Sequence, residues 1–286
     1  MPPPAVPLLW LDTLWVQVAG TLCNLRCRHC FISCAPDNHA HEMMPLADVL
    51  RHVAEAVRLG VREYYFTGGE PFMNRDLLPM IEATLPHGPV TVLTNGLFLD
   101  DATCAGLRRL SDGSDSSLDI RVSLDGFGPE DNDPLRGPGT FHRALEGVRR
   151  LSAAGINPVI TVTEATGELA SGEGRARFLA RLRALGLDRP RLKVLPLWRL
   201  GAEASRTSGY GEGERLSEEG VTTEGLEQLQ CATGRMVTSR GVYVCPLLID
   251  APAARMGSTL AETLHPFKLS HGACVTCYVS GASCRT

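Results

Sequence analysis

LWVQVAGTLCNLRCRHC, residues 14–30, joins two signals in one line. Its first six residues, LWVQVA, form a short apolar run that reads as a buried strand. A loop carrying Cys23, Cys27 and Cys30 follows at once. Five more runs of the strand type recur along the chain: EYYFT at 63–67, VTVLT at 90–94, DIRVSL at 119–124, PVITVT at 158–163 and LKVLPL at 192–197. Between them, MPLADVLRHVAEAVRLG, RDLLPMIEATL, LDDATCAGLRRL, GTFHRALEGVRRLSAAG and GEGRARFLARLRALG place apolar residues at helical spacing, and several end in Gly as helix C-caps do. Six strands alternating with helices predict an α/β fold with a parallel sheet. Right-handed crossovers then put functional loops at the C-terminal ends of the strands.

The composition permits such a core: of 286 residues, 44% are hydrophobic and 21% charged. With 28 basic against 32 acidic residues the net charge is −4, which disfavours a protein that coats nucleic acid or anionic lipid. No run approaches the roughly 18 apolar residues of a membrane span, and the start MPPPAVPLLWLDTLW lacks the basic region and cleavage site of a secretory signal. A cytoplasmic protein with no membrane contact is expected. Ten cysteines in that setting point to metal or redox roles rather than disulfides. Cys23, Cys27, Cys30 and Cys34 crowd together, Cys104 stands alone, and Cys231, Cys245, Cys274, Cys277 and Cys284 fall at the end.

GAEASRTSGYGEGERLSEEGVTTE, 201–224, is rich in Gly, Ser and Glu and reads as a linker or mobile loop. RMVTSRGVYVCPLLI beyond it reads as a hairpin. The cysteine-bearing tail is too short to make a core without a metal or the barrel to pack on. The expected organisation is 1–200, a linker at 201–230, and a small domain at 231–286.

Three thiolates from one loop can hold three irons of a cubane and leave the fourth iron open to a small molecule. The pattern Cys23-Asn-Leu-Arg-Cys27-Arg-His-Cys30 after the first strand resembles that of the radical S-adenosylmethionine superfamily. Gly68-Gly69-Glu70-Pro71 after the second strand resembles the family's methionine-binding motif: glycines admit close approach of backbone to ligand, and Glu70 offers an acceptor near the ammonium. Thr94-Asn95-Gly96 after the third strand and Ser123-Leu124-Asp125-Gly126 after the fourth look like family positions lining the ribose and carboxylate. Thr161 and Thr163 take a comparable place on the fifth, and His29 matches the position beside the adenine. The resemblance covers about residues 14–200. It implies a partial (βα)6 TIM-like barrel, a [4Fe-4S] cluster on Cys23, Cys27 and Cys30, bound S-adenosylmethionine, and its reductive cleavage to a 5'-deoxyadenosyl radical. An electron donor such as flavodoxin or ferredoxin is implied as partner.

Two other readings of the thiols stand beside it. A zinc site would use the same cysteines but leaves GGEP and the strand-end polar groups without a purpose. A closed electron-transfer cluster would recruit Cys34 as a fourth ligand, making a redox module without an open iron. The residues favour Cys34 as a loop or partly buried thiol, and Cys104, beside Leu107 and Leu110, as a core residue.

The tail resembles the shortened auxiliary-cluster domain called twitch, related to the longer SPASM type, that follows the barrel in part of the family. That resemblance implies one auxiliary [4Fe-4S] cluster on Cys231, Cys245, Cys274 and Cys277, with Cys284 as spare or substitute; a structural zinc knuckle is the alternative. His41 and Glu42 are expected in a solvated loop or as a helix cap. Arg136 is expected either to face substrate or to fix its loop, and the arginines of RARFLARLRALG to form a solvated helix face. Only 22 residues precede Cys23, too few for the leader-binding domain of roughly 80 residues found in many peptide-modifying relatives. A small-molecule substrate held between the barrel mouth and the 201–224 loop is therefore expected, with a peptide delivered by a partner as the alternative.

Overall fold

The computed structural model describes residues 2–164 and 167–281. A two-residue strand, β1 (Ala5–Val6), precedes the first long one, β2 (Thr13–Gln17), and the cysteine loop follows β2. The chain then alternates: α1 (Leu46–Arg58), β3 (Glu63–Thr67), α2 (Leu77–Thr84), β4 (Val90–Thr94), α3 (Asp101–Asp112), β5 (Leu118–Ser123), α4 (Pro129–Arg136), α5 (Thr140–Ala153), β6 (Val159–Glu164), α6 (Gly172–Ala184) and β7 (Arg191–Pro196). β2 to β7 are neighbours in sequence order and all parallel, the six-stranded partial barrel expected from the alternation. Every predicted strand lies within two residues of its observed position.

Strand alternation splits the core in two. Side chains such as Val16, Phe66, Val92, Ile120 and Val162 face the helices and pack with buried helix residues, among them Val53, Ile81, Leu107 and Leu145. α1 illustrates the pattern, burying Val49, His52, Val53 and Ala56 at helical spacing. The intervening strand residues face the barrel interior, where Trp15 stacks on Tyr65 at 4.2 Å between ring centroids. That inner cluster continues without a break into Met236, Tyr243, Leu247, Phe267 and Cys274 of the C-terminal segment.

The C-terminal segment joins the barrel at its side. After α7 (Gly201–Thr207) and α8 (Thr223–Glu227), the expected hairpin forms from β8 (Gly234–Thr238) and β9 (Gly241–Tyr243), and β10 (Arg255–Gly257) extends it. β8 pairs in parallel with β2, Thr13 opposite Gly234, so the sheet grows to nine strands from its first barrel strand. β11 (Phe267–Lys268) pairs with β1, and α9 (Gly272–Ser280) carries Cys274 and Cys277.

The 201–224 stretch is docked where its composition predicts a free linker. Ala202 N donates to Cys30 O (2.9 Å), Glu203 is buried against Arg206, and the Tyr210 hydroxyl meets Thr276 Oγ1 at 2.7 Å. Gly201 makes the approach feasible: its φ is +54°, and a Cβ there would lie 2.7 Å from Cys30 O. Composition misses this because the anchoring is done by one backbone contact and a few polar side chains. No helix among the described residues is long and apolar enough to cross a membrane.

Candidate active site

The C-terminal ends of the barrel strands surround a cavity of about 970 Å³ that opens to solvent. Cys23, Cys27 and Cys30 line it from the loop after β2. The lining continues with Thr67 at the end of β3 and Gly68 and Gly69 after it, Thr94 at the end of β4 and Asn95 after it, Ser123 on β5, and Thr161 and Thr163 on β6. Leu195, Pro196 and Trp198 close the far side, and Phe31 meets Trp198 edge-on at 5.8 Å. The backbone of Gly69 is pressed against the cysteine loop, since a Cβ there would fall 1.9 Å from Leu22 O. Two turns from different strands are thereby locked together, by Gly69 N to Gly20 O (2.9 Å) and Glu70 N to Leu22 O (3.0 Å).

Glu70 and Pro71 stand behind this wall and not in it. Glu70 is fully buried; Oε1 accepts from Thr94 Oγ1 (2.7 Å) and Phe72 N (3.1 Å), and Oε2 from Asn95 N (2.8 Å). The acceptor expected to face an ammonium is thus occupied in joining the β3 and β4 turns. Burial pushes its carboxyl up to about 7 against those three hydrogen bonds. Asn95 in turn donates to Asn24 Oδ1 (2.7 Å) and lies 3.9 Å from Cys23 Sγ, so one network reaches a cavity thiol.

Asp125 is likewise a support. Its Oδ1 accepts from Thr163 N (2.8 Å), and its Oδ2 lies 2.6 Å from Arg136 Nε and 3.0 Å from His29 Nε2. Despite complete burial its carboxyl is held well below the usual range by the Arg136 guanidinium and the His29 hydrogen bond. Arg136 therefore fixes its loop through Asp125 and also lines the cavity. His29 is 7% exposed and its Nδ1 has no hydrogen-bond partner among the described residues. Asp125 holds one ring nitrogen, and the ring lines the cavity.

Burial pushes the thiols of Cys23, up to about 12, and Cys27 upward. Cys30 goes the other way, down to about 6, because the Cys34 thiol and the Ile32 and Cys34 N–H groups donate to it. Cys34 is buried and lines the same cavity. Cys104 is a core residue on α3.

A second cavity, of about 480 Å³, gathers Cys231, Cys245, Cys274 and Cys277 among Leu229, Leu247, Leu248 and Leu269. All four are free thiols raised by burial, Cys274 to about 12 and Cys277 to about 11. Cys284 lies outside the described residues. Among the described residues no three His, Cys, Asp or Glu side chains sit close enough to hold a single metal ion; the tail thiols ring a space instead.

Sequence reasoning missed Thr67, Trp198 and Arg235. Thr67 was findable, since it closes its strand as Thr94 and Ser123 close theirs. His41 was read as solvated and is 2% exposed, its Nε2 3.5 Å from Asp250 and its ring against Tyr243. The segment after Cys245, invisible in local composition, covers it.

The family description Radical SAM superfamily matches residues 18–167. A probable GTP 3',8-cyclase of Methanosarcina acetivorans is 32% identical over 147 residues, which cover 48% of this chain and 41% of that protein. The mycofactocin maturase MftC of Mycolicibacterium smegmatis is 32% identical over 136 residues, covering 47% of this chain and 33% of that protein. The match therefore spans less than half the length of these curated relatives. Streptococcus suis SuiB, solved bound to S-adenosylmethionine, has a similar fold: TM-score 0.62 at 16% identity over 85% of this chain and 62% of that one.

Proposed function

This chain belongs to the radical SAM superfamily, and from that premise we propose that it cleaves S-adenosylmethionine reductively and takes hydrogen from a small-molecule substrate. The observation that carries the proposal is the single cavity shared by Cys23, Cys27, Cys30 and polar residues from four successive strand ends. Those three thiols would hold a [4Fe-4S] cluster, and the tight Gly68-Gly69 turn suits backbone contact with the methionine end of the cofactor. When bound, cluster and cofactor supply the electron and the 5'-deoxyadenosyl radical.

The chain's own part is positioning. Glu70 ties the β3 and β4 turns, Asp125 and Arg136 orient His29 towards the adenine side, and Asn95, Ser123, Thr161 and Thr163 offer hydrogen bonds. Phe31, Leu195 and Trp198 form an apolar wall that limits water where a radical would react.

The tail, 231–286, is read as a twitch-like domain whose Cys231, Cys245, Cys274 and Cys277 hold one auxiliary [4Fe-4S] cluster for electron transfer. Four thiols suffice for a cubane, and metal binding would displace the protons that burial keeps on them. A small substrate is favoured because α7 is pinned beside Cys30 at the edge of the cavity. A peptide is the second reading, favoured by an adjoining cavity of about 1220 Å³ that shares Asp125 and Thr163 with the site.

With dithionite under anaerobic conditions, the reconstituted chain should yield methionine and 5'-deoxyadenosine. Cys27→Ala should yield neither, and Cys34→Ala should keep both cluster and cleavage. Loss of the barrel cluster in Cys34→Ala, with no S-adenosylmethionine binding by the wild type, would establish the closed electron-transfer cluster instead. Deuterium transfer into 5'-deoxyadenosine from labelled peptide, and not from labelled metabolites, would establish the peptide reading.

A further inference from the structure

Arg235, the second residue of β8, is 1% exposed. Its guanidinium is held entirely by main-chain carbonyls. Nε and Nη2 donate to Thr263 O (3.2 and 3.0 Å), Nη2 also to His265 O (3.1 Å), and Nη1 to Cys231 O and Gly234 O (both 2.8 Å). Among the described residues no carboxylate forms an ion pair with it. A buried cation without a counter-ion is costly, and five dipolar bonds lower that cost without neutralising the charge.

Through its bond to Cys231 O the guanidinium sits against the main chain of one tail thiol residue, and β8 carries it into the strand pair that leads to Cys245. Both cysteines line the tail cavity, whose walls are otherwise leucines, proline, alanine and one amide side chain. Exposed Arg215 is a second cation in reach, acting on Cys274 from the surface. Burial pushes the Arg235 guanidinium down to about 10, which leaves it charged at neutral pH.

We propose that Arg235 is the built-in counter-cation of the tail thiol site, a positioning residue whose fixed charge raises the reduction potential of the cluster held there. The inference rests on the reading of the tail as a four-iron site. One-electron reduction adds a negative charge to an already anionic cluster in an apolar cavity. A cation clamped alongside stabilises the reduced form more than the oxidised one, so potential rises with it. The carbonyl clamp keeps the guanidinium from moving to solvent when the charge changes.

The test uses the full chain with Cys23, Cys27 and Cys30 replaced by Ala, so that only the tail is loaded. Iron content is measured first, then a dithionite redox titration followed by EPR. Arg235 is compared with Arg235→Lys, Arg235→Gln and a chain ligated at Cys231 carrying citrulline at 235, a neutral isostere that keeps the planar shape if Gln does not fold. Lys should retain the wild-type potential. In the neutral chains the ratio of reduced to oxidised cluster at fixed poise should fall about tenfold, a downward shift of about 59 mV for one electron. Iron lost from the neutral chains but kept by Lys would support the same role. An unchanged potential in the neutral chains, or a Lys variant that behaves like them, would overturn it. Zinc, or no iron, in the chain with Arg235 intact would overturn the four-iron reading of the tail itself.

Discussion

Replacing Gly69 with Ala should dislodge the thiol-bearing loop. The added Cβ would lie 1.9 Å from Leu22 O, 2.4 Å from Leu22 C and 2.9 Å from Cys23 Cβ. A carbon needs roughly 3.3 Å from a carbonyl oxygen, so the overlap is about 1.4 Å. Two of those three atoms are backbone, and no rotamer change relieves them. Leu22 O already accepts from Glu70 N, Gly69 N donates to Gly20 O, and Cys23 N donates to Ala35 O, so one turn must leave the other. Overpacking of this kind costs about 1–3 kcal/mol, and more where backbone has to move. At about 2–4 °C per kcal/mol the apo protein should melt several degrees lower. Because Cys23 moves by about 1 Å relative to Cys27 and Cys30, cleavage of S-adenosylmethionine should fall about 100-fold. Anaerobic scanning calorimetry, iron content and the rate of 5'-deoxyadenosine formation read the three effects. Gly172→Ala is the control: it opens α6, its Cβ meets nothing within 4 Å, and it should be neutral or stabilising by about 0.5–1 kcal/mol. A Gly69→Ala protein that melts with the wild type and cleaves at the same rate would refute the reasoning.

Glu70→Gln tests the buried carboxyl. Its folded value near 7 lies above the ordinary 4.5, so the folded state keeps a proton that the unfolded chain has lost between those values. Stability from this group is therefore complete below about pH 4.5 and declines by about 3 kcal/mol as pH rises to 7, a slope the Gln variant should lack when both are melted from pH 5 to 7. Asp125→Asn should cost about 3–5 kcal/mol by leaving Arg136 a buried cation without its carboxylate, measured by denaturant titration of the apo chain. Reconstituted wild type should hold about eight irons and the Cys23, Cys27, Cys30 triple variant about four, counted by elemental analysis alongside zinc.

The strands and helices of the barrel were legible because each has one face against the helix layer and so a strong period. Val90 and Val92 beside Ile120 and Val122 leave little choice of register. The cavity thiols were legible from spacing within one loop. Glu70 and Asp125 were found as residues, but which way they face was not legible. That depends on partners such as Asn95 N and Thr163 N, contributed by strands far away in sequence. His41 and the 201–224 segment failed for a related reason: polar residues look solvated until a distant segment covers them. Arg235 gave no signal, since its acceptors are carbonyls and carbonyls are the same in every sequence.

Both thiol cavities are lined by four cysteines, and it is their other walls that differ. Around Cys23, Cys27 and Cys30 the walls carry hydroxyls, an amide, an imidazole and exposed glycine backbone, the groups that recognise a polar small molecule at an open metal position. Around Cys231, Cys245, Cys274 and Cys277 they are almost wholly aliphatic, which suits the all-cysteine cluster proposed for the tail. Such a site needs charge compensation from within, and Arg235 is placed to give it. Trp198 closes the barrel cavity, its ring against Phe31, and belongs to the same buried cluster as Cys274. That apolar wall on the barrel side suits the exclusion of water from the reaction proposed there.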